Sequence, residues 1–526
     1  MKSLSRRQWA HRPGSVGPPL IAAFVLLCAR SSAQDSLQAE RLLPEGLGLA
    51  NHLEYSFDWK TKLEILENWL NLDYQQRNVS AGVRFEVFQP NDPNPSISRG
   101  RSRYADIAFK YVGVRVGTSH EGAALTVGNY YALFGRGLIL KSYEDRSIRV
   151  DNNLLGVKAV GNYAGVTFTA LTGQALNFSG ERADILHALD IEWNGLGFLG
   201  VGGTFAAHQP DAAGAARTRL ASLRIQPRLG SFDFYGEYGI KQNNDIREAA
   251  FGDDGGIIGR ALYGSAGWYL GPFSVVGEYK LYDNYGFRTS DQSSLYNSPP
   301  SLRRDYSYIL LNRHPSPTDP DNEQGFQLES NLTAGEETSL NASYSLTRTL
   351  DAGSYYQRIL KTSSLPRTAF REAYAQVTRL WTDELTLSAA LGYREEFASN
   401  TKAVTPVLDL RYALSATHSL RGIIEHQQVT DRTTTEKYFD DVLTLEFHSA
   451  PDLSLSLVVE MQTREPASGS RERTWWGFTQ VGFKIADHTD GTLLVGSRQA
   501  GNICVGGVCR YEPEFRGIEL KLMSRF

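Results

Sequence analysis

Runs of about ten residues in which apolar and polar side chains alternate recur along nearly the whole chain, and little else constrains its fold as strongly. Val79, Ala81, Val83, Phe85 and Val87 share one face, with Ser80, Gly82, Arg84 and Glu86 on the other. Phe273 to Leu281, Leu385 to Arg394, Leu443 to His448 and Leu453 to Glu460 repeat the pattern. Strands of this kind have one apolar and one wet face, which suits a sandwich or a barrel equally. Turn spacing separates the two. Tight turn signals stand at Asn162–Ala164, Gly195–Gly197, Leu229–Ser231, Gly271–Pro272 and Gly335–Glu337. They continue at Thr382–Glu384, Ala416–His418, Ala450–Asp452 and Asp490–Gly491. Between them lie longer stretches, each reading as a strand, a polar segment and a returning strand. A sandwich has no reason to gather its short turns at one end, whereas a membrane barrel does. The fold expected is all-β: a transmembrane antiparallel up-and-down barrel of about 24 strands, in a range of roughly 22 to 26. Even parity places both termini at the short-turn end. The least decided stretch is 51–75, where Leu63, Ile65, Leu66, Trp69 and Leu70 also fit an amphipathic helix.

Residues 1–33 read as a secretory signal and 34–526 as one barrel domain. Lys2, Arg6, Arg7 and Arg12 precede a short apolar core, Leu20 to Ala29, and Ser31-Ser32-Ala33 offers a cleavage site. Neither a twin-arginine route at Arg6-Arg7 nor lipidation at Cys28 fits as well. The remaining chain carries 49 Lys and Arg against 58 Asp and Glu. Nucleic-acid binding wants a clustered basic excess and gains no support. No later apolar run is long enough for a transmembrane helix. A negative mean hydropathy suits a barrel as well as a secreted enzyme, because only alternate residues of each strand face lipid. Trp193, Trp268-Tyr269, Trp381 and Trp475-Trp476 fall near strand ends, as interfacial girdles do.

The chain closes on G-I-E-L-K-L-M-S-R-F, with Gly517, Leu520, Leu522 and a terminal Phe526. This resembles the last strand of Gram-negative outer-membrane barrels, where a glycine followed three and five residues on by apolar side chains, with a final aromatic, is the assembly signal. Phe515 departs from that pattern, standing where a polar residue is usual. The whole-chain layout resembles the large outer-membrane β-barrel families whose function is uncharacterised. The family-like stretches are Phe134-Gly135-Arg136-Gly137-Leu138 running on to Asp151-Asn152-Asn153, then Pro299-Pro300 through Leu311-Asn312-Arg313, and Cys504 to Phe526. The resemblance implies membrane and fold, with outer-membrane lipid and the barrel-assembly machinery as partners, and no substrate.

Three stretches could carry chemistry. The segment 132–152 mixes Arg136, Lys141, Arg146 and Arg149 with Glu144, Asp145 and Asp151. Folded inward, it would form a charged constriction in a lumen otherwise wide enough to leak; folded outward, it is a solvated loop. The connection 286–323 is expected as a long external loop, stiffened by Pro299-Pro300 and charged at Arg303-Arg304. Its Asp319, Asp321 and Glu323 lack the glycine of a calcium-binding hand, so no metal is expected. Cys504 and Cys509, four residues apart around Gly506-Gly507, are expected as a structural disulfide in an exported protein, since a redox pair normally has two intervening residues. No nucleophile elbow, zinc helix or phosphate loop appears, so neither enzymatic activity nor a cofactor is expected. The reading is a passive porin-like pore for small polar solutes, with Arg84, Glu86, Glu237, Glu278, Lys280, Asp409 and Arg411 facing the lumen. An anchor for an envelope assembly is the alternative, and a membrane-embedded enzyme is a more distant one.

Overall fold

The computed structural model describes residues 44–88, 105–118, 121–145, 150–177, 181–211, 217–243, 257–313, 317–350, 368–464, 474–485, 487–505 and 508–526. The expected signal, 1–33, lies outside them, as do Arg146 and Arg149. Among the described residues, 24 strands pair antiparallel in one sheet. Each strand bonds its sequence neighbours, and the sheet then closes on itself. The first strand, Leu47–Asp58, pairs with the last, Phe515–Arg525, with Leu53 opposite Leu522 and Tyr55 opposite Leu520. Closure leaves no open sheet edge, which is the condition for placing strands in lipid.

Alternation in the sequence becomes two faces of one wall. On the strand Thr401–Ala413, Val404, Leu408 and Leu410 point out and are exposed, while Ala403, Thr405, Val407 and Asp409 point in and are buried. The same outward band carries Leu391, Ile424, Leu443, Leu445, Leu455 and Leu457, all exposed. A continuous apolar belt of this size is untenable in water and describes a surface made for lipid. Trp193, Trp268, Tyr269, Trp381 and Trp475 are exposed at its margins. Trp476 is not a girdle residue: it points inward, and its indole N–H donates to Glu514 at 3.3 Å.

The turns explain the hairpins. Tyr163 pairs Val166 across Ala164-Gly165, both at positive φ (49° and 78°). That left-handed pair matches the twist of the flanking strands. The stretch 51–75 is a strand pair, Leu47–Asp58 with Glu64–Gln76, and not a helix. Its two halves satisfy each other's backbone, and His52 meets Trp69 edge-on at 5.3 Å on the inner face.

The C-terminal segment has a structural reason for its composition. Leu49 N–H donates to Phe526 O (3.0 Å) and Phe526 N–H to Leu49 O (2.8 Å), so the final residue belongs to the closing ladder. A Cβ on Gly517 would lie 1.8 Å from Phe57 O, so only glycine fits where the seam draws tight. Beside it, Asp58 Oδ2 accepts from Arg516 N–H at 3.0 Å. At the other end of that strand's approach, a small hairpin pairs Gly501–Val505 with Val508–Glu512 and sets Cys504 opposite Cys509 in register. The side chains of both cysteines lie outside the described residues.

Candidate functional site: two loops inside the barrel

A sheet of 24 strands spaced about 4.8 Å apart and tilted about 40° closes to a diameter of roughly 45–50 Å between backbones. Such a lumen cannot be filled by wall side chains alone. Two connections from the long-loop end turn inward and pack on the wall.

The first is 131–153. Phe134-Gly135-Arg136-Gly137 makes a tight bend, with Gly135 at φ 53° and Gly137 at φ 85°. Gly137 N–H donates to Phe134 O (2.9 Å), Phe134 N–H to Leu140 O (3.1 Å), and Leu133 bridges Lys141. Leu138, Ile139 and Leu140 are fully buried in sequence, so both faces of the segment are covered. One cover is the inner wall, through Leu186, Leu220, Tyr235 and Tyr263. The other is the second connection.

That second connection, 284–321, crosses the interior, in contrast to the external loop expected over 286–323. Its first part joins the hairpin edge: Lys141 N–H donates to Tyr296 O (2.9 Å) and Ser298 N–H to Gly137 O (3.2 Å). Asn297, 1% exposed, is the joint, accepting from Phe287 N–H (2.9 Å) and donating to Leu138 O (2.9 Å) and Tyr285 O (3.1 Å). Ser290 fixes the outer end, donating through N–H and Oγ to Asp184 on the wall, both at 2.7 Å. Burial pushes the Tyr285 and Tyr296 hydroxyls well above their ordinary range, so both stay protonated.

The second part reaches the opposite wall as a single helical turn, Ile309–Asn312. Glu425 accepts from the N–H groups of Ile309 (2.9 Å) and Leu310 (2.8 Å) at its start. Arg394 and Gln427 donate to its carbonyls, the Gln427 bond to Leu310 O at 3.1 Å, and Arg313 pairs with Glu460 at 3.0 Å. Leu311 packs against Gly392, where a Cβ would stand 2.5 Å from its methyl. Arg303 and Arg304, expected on an external loop, face wall carboxylates instead: Arg303 meets Glu323 at 3.3 Å and Arg304 meets Glu329 at 3.4 Å. Pro299-Pro300 and the apolar Ile309-Leu310-Leu311 run inside a polar connection are the sequence signals for this path. A loop meant for water has no use for three consecutive large apolar residues.

The charged residues of 132–152 divide by position. Glu144 and Asp151 stand opposite each other in register and are held by Arg84 of the wall, at 3.2 and 3.8 Å. Tyr131 also donates to Asp151 (3.0 Å), and Asn152 ties Tyr143 and Lys141 backbone together. Asp145 is half-buried beside Glu144. Arg136 is different: exposed at the tip, it lies over the Tyr235 ring at 5.2 Å and makes no ion pair among the described residues. Lys141 rests over Tyr143 at 5.1 Å, and burial pulls its ammonium below its ordinary value.

Beneath the tip is a polar cavity of about 730 Å³. Arg136 and Lys141 border it from the loop, Asp190, Glu192 and Glu278 from the wall. Arg224, with no side-chain exposure, neutralises two of these carboxylates at once, meeting Asp190 at 2.7 Å and Glu192 at 2.8 Å. Tyr263 donates to Glu278. Of the expected lumen-facing residues, Glu237 and Lys280 are covered by the loops, while Arg411 stays exposed below them.

Comparison with known proteins places the chain in a family. The family described as "Family of unknown function (DUF6029)" matches residues 23–526, and the chain belongs to it. No curated protein matches the sequence. Among solved structures, the siderophore receptor PirA of Pseudomonas aeruginosa is 9% identical, with a TM-score of 0.44 over 92% of this chain and 80% of that one. The P pilus usher (PapC) translocation pore is 10% identical, with a TM-score of 0.44 over 91% and 99%. Pseudomonas aeruginosa OccK5 (OpdH) is 12% identical, with a TM-score of 0.37 over 72% and 97%.

Proposed function

We propose that this member of the DUF6029 family is an outer-membrane channel for small polar solutes, its wide barrel narrowed by two of its own loops. The observation that carries the reading is the cavity bordered by Arg136, Lys141, Asp190, Glu192 and Glu278 at the underside of the inward hairpin. Charges of both signs on a narrowed, wet path set size and selectivity for solutes that pass without being held tightly. The role of the protein's own residues is positional. Glu144 and Asp151 hold the hairpin to the wall through Arg84, Asn152 ties the hairpin's own strands together, Asn297 locks the loops together, and Arg136 presents the exposed charge.

Swelling of proteoliposomes in a graded series of sugars and amino acids tests this. Entry of the smallest solutes, falling off steeply with size, is the expected result. If no solute enters and shortening of 301–319 changes nothing, the channel reading fails and the barrel is better read as an anchor.

A further inference from the structure

The outer face of the barrel carries a second feature, a row of cations standing just above the lipid belt. Register across neighbouring strands aligns Arg371 with Glu395, Glu395 with Lys402, Lys402 with Thr430, and Thr430 with Lys437. All five occupy the outward positions of their strands, because the residues that alternate with them (Phe370, Glu396, Ala403, Tyr438) are buried on the inner side. Arg432, in the adjoining connection, reaches back over the row to Glu395.

The height of the row follows from the strands. One step toward the membrane lie Tyr393, Val404, Gln428 and Phe439, and two steps further Leu408, Ile424 and Leu443. On the strand of Lys402 the outward residues are apolar from Val404 to Tyr412, about 27 Å of strand or roughly 20 Å of height at a 40° tilt. On the two strands beside it, Gln428 and the His426–Asp441 pair stand between the row and the first aliphatic residues, Ile424 and Leu443. A register row climbs about 3 Å per strand in a wall tilted by about 40°. Lys402 thus stands at the edge of the belt and Lys437 about 6 Å above it, a span that fits the headgroup layer of the outer leaflet. Its aromatic neighbours, Tyr393 and Phe439, sit where interfacial rings sit.

Its charge is only partly spent internally. Glu395 is the single carboxylate of the row, buried beneath Arg371 (3.4 Å) and Arg432 and bonded by the Tyr393 hydroxyl (3.4 Å). Asp441, lower on the same face, is held by His426 at 2.6 Å. Lys402 and Lys437 are exposed and make no ion pair among the described residues. Side chains that project sideways from a barrel at this height meet lipid headgroups before they meet bulk water. Four cations against one neutralised carboxylate, with the Thr430 hydroxyl between the two lysines, fit an anion carried by a lipid.

We propose that this sector of the rim binds the phosphorylated headgroup of an outer-leaflet lipid. The inference rests on the membrane-spanning fold and is independent of the channel reading.

Native mass spectrometry of the detergent-extracted protein tests it, with bisphosphorylated lipid A and its fully dephosphorylated form as probes. The wild-type barrel should retain the phosphorylated lipid at least tenfold better than the dephosphorylated one. Lys402→Ala with Lys437→Ala should weaken retention about tenfold, with heat-dependent gel migration unchanged. Equal retention of the two lipids overturns the proposal without recourse to any variant. So does a correctly folded double variant that binds like wild type. Displacement of the lipid by inorganic phosphate alone would assign the row to a free anion and overturn the lipid assignment.

Discussion

Replacing Glu425 with alanine should release one end of the interior loop while leaving the barrel intact. Its carboxylate, 1% exposed, accepts from two consecutive backbone N–H groups at 2.9 and 2.8 Å. Hydrogen bonds to a charged partner contribute about 1.5–3 kcal/mol each, and removing the acceptor leaves both donors buried without one. Arg394, Gln427 and the Arg313–Glu460 pair still hold the turn, so the loss is partial, about 3 kcal/mol. At 1.4 kcal/mol per tenfold, local opening of residues 305–313 becomes about a hundredfold more frequent. Amide hydrogen exchange reads this directly, since protection of Ile309 and Leu310 reports local rather than global opening. Glu425→Gln keeps one acceptor oxygen and should lose only about tenfold. Protection within twofold of wild type in the alanine variant would refute the reasoning. Collapse of protection throughout the wall would also refute it, by showing that Glu425 supports the sheet and not the loop.

Gly517→Val should prevent closure, because its Cβ would overlap Phe57 O; heat-modifiable protein in the membrane should fall severalfold, and an unchanged yield would contradict the seam geometry. Arg136→Ala removes the exposed charge at the cavity and should shift the reversal potential in a salt gradient toward cation preference, whereas an unmoved potential would take Arg136 off the solute path. Cys504 and Cys509, paired in register, should appear as one bridged peptide in unreduced protein. With only about 2–3 kcal/mol at stake in so short a loop, Cys504→Ser should leave assembly intact. Two freely alkylated thiols in protein from intact cells would contradict the bridge.

The barrel was readable from the sequence because its physics is local. Alternation at Thr401–Ala413 and the turn at Ala164-Gly165 each need only neighbours a few residues away, and a strand's register then follows from its turn. The ambiguity at 51–75 was local too: Leu63, Ile65, Leu66 and Trp69 suit either period, and pairing of Glu64–Gln76 with Leu47–Asp58 on one side and Val79–Phe88 on the other decides it. The interior was much less legible. Arg303 and Arg304 look like surface charges until Glu323 and Glu329, on the strand that follows the loop, are known to meet them on the inner wall. Asn297 is an ordinary loop residue until it meets Leu138, far back in the sequence. Glu425 reads as one more polar residue of an alternating strand, and nothing near it announces the helical turn it caps. Contacts of such large sequence separation leave no period to detect. The misplaced apolar run Ile309-Leu310-Leu311, with Pro299-Pro300 before it, is the local hint that its loop has somewhere dry to go.

Single-channel recording in planar bilayers tests the central claim most directly, comparing wild type with a protein in which 301–319 is replaced by a short Gly-Ser link. A barrel narrowed by its own loops should give a small, steady conductance that rises severalfold when the crossing segment is gone. Equal conductance in the two proteins, or none in either, would contradict the account.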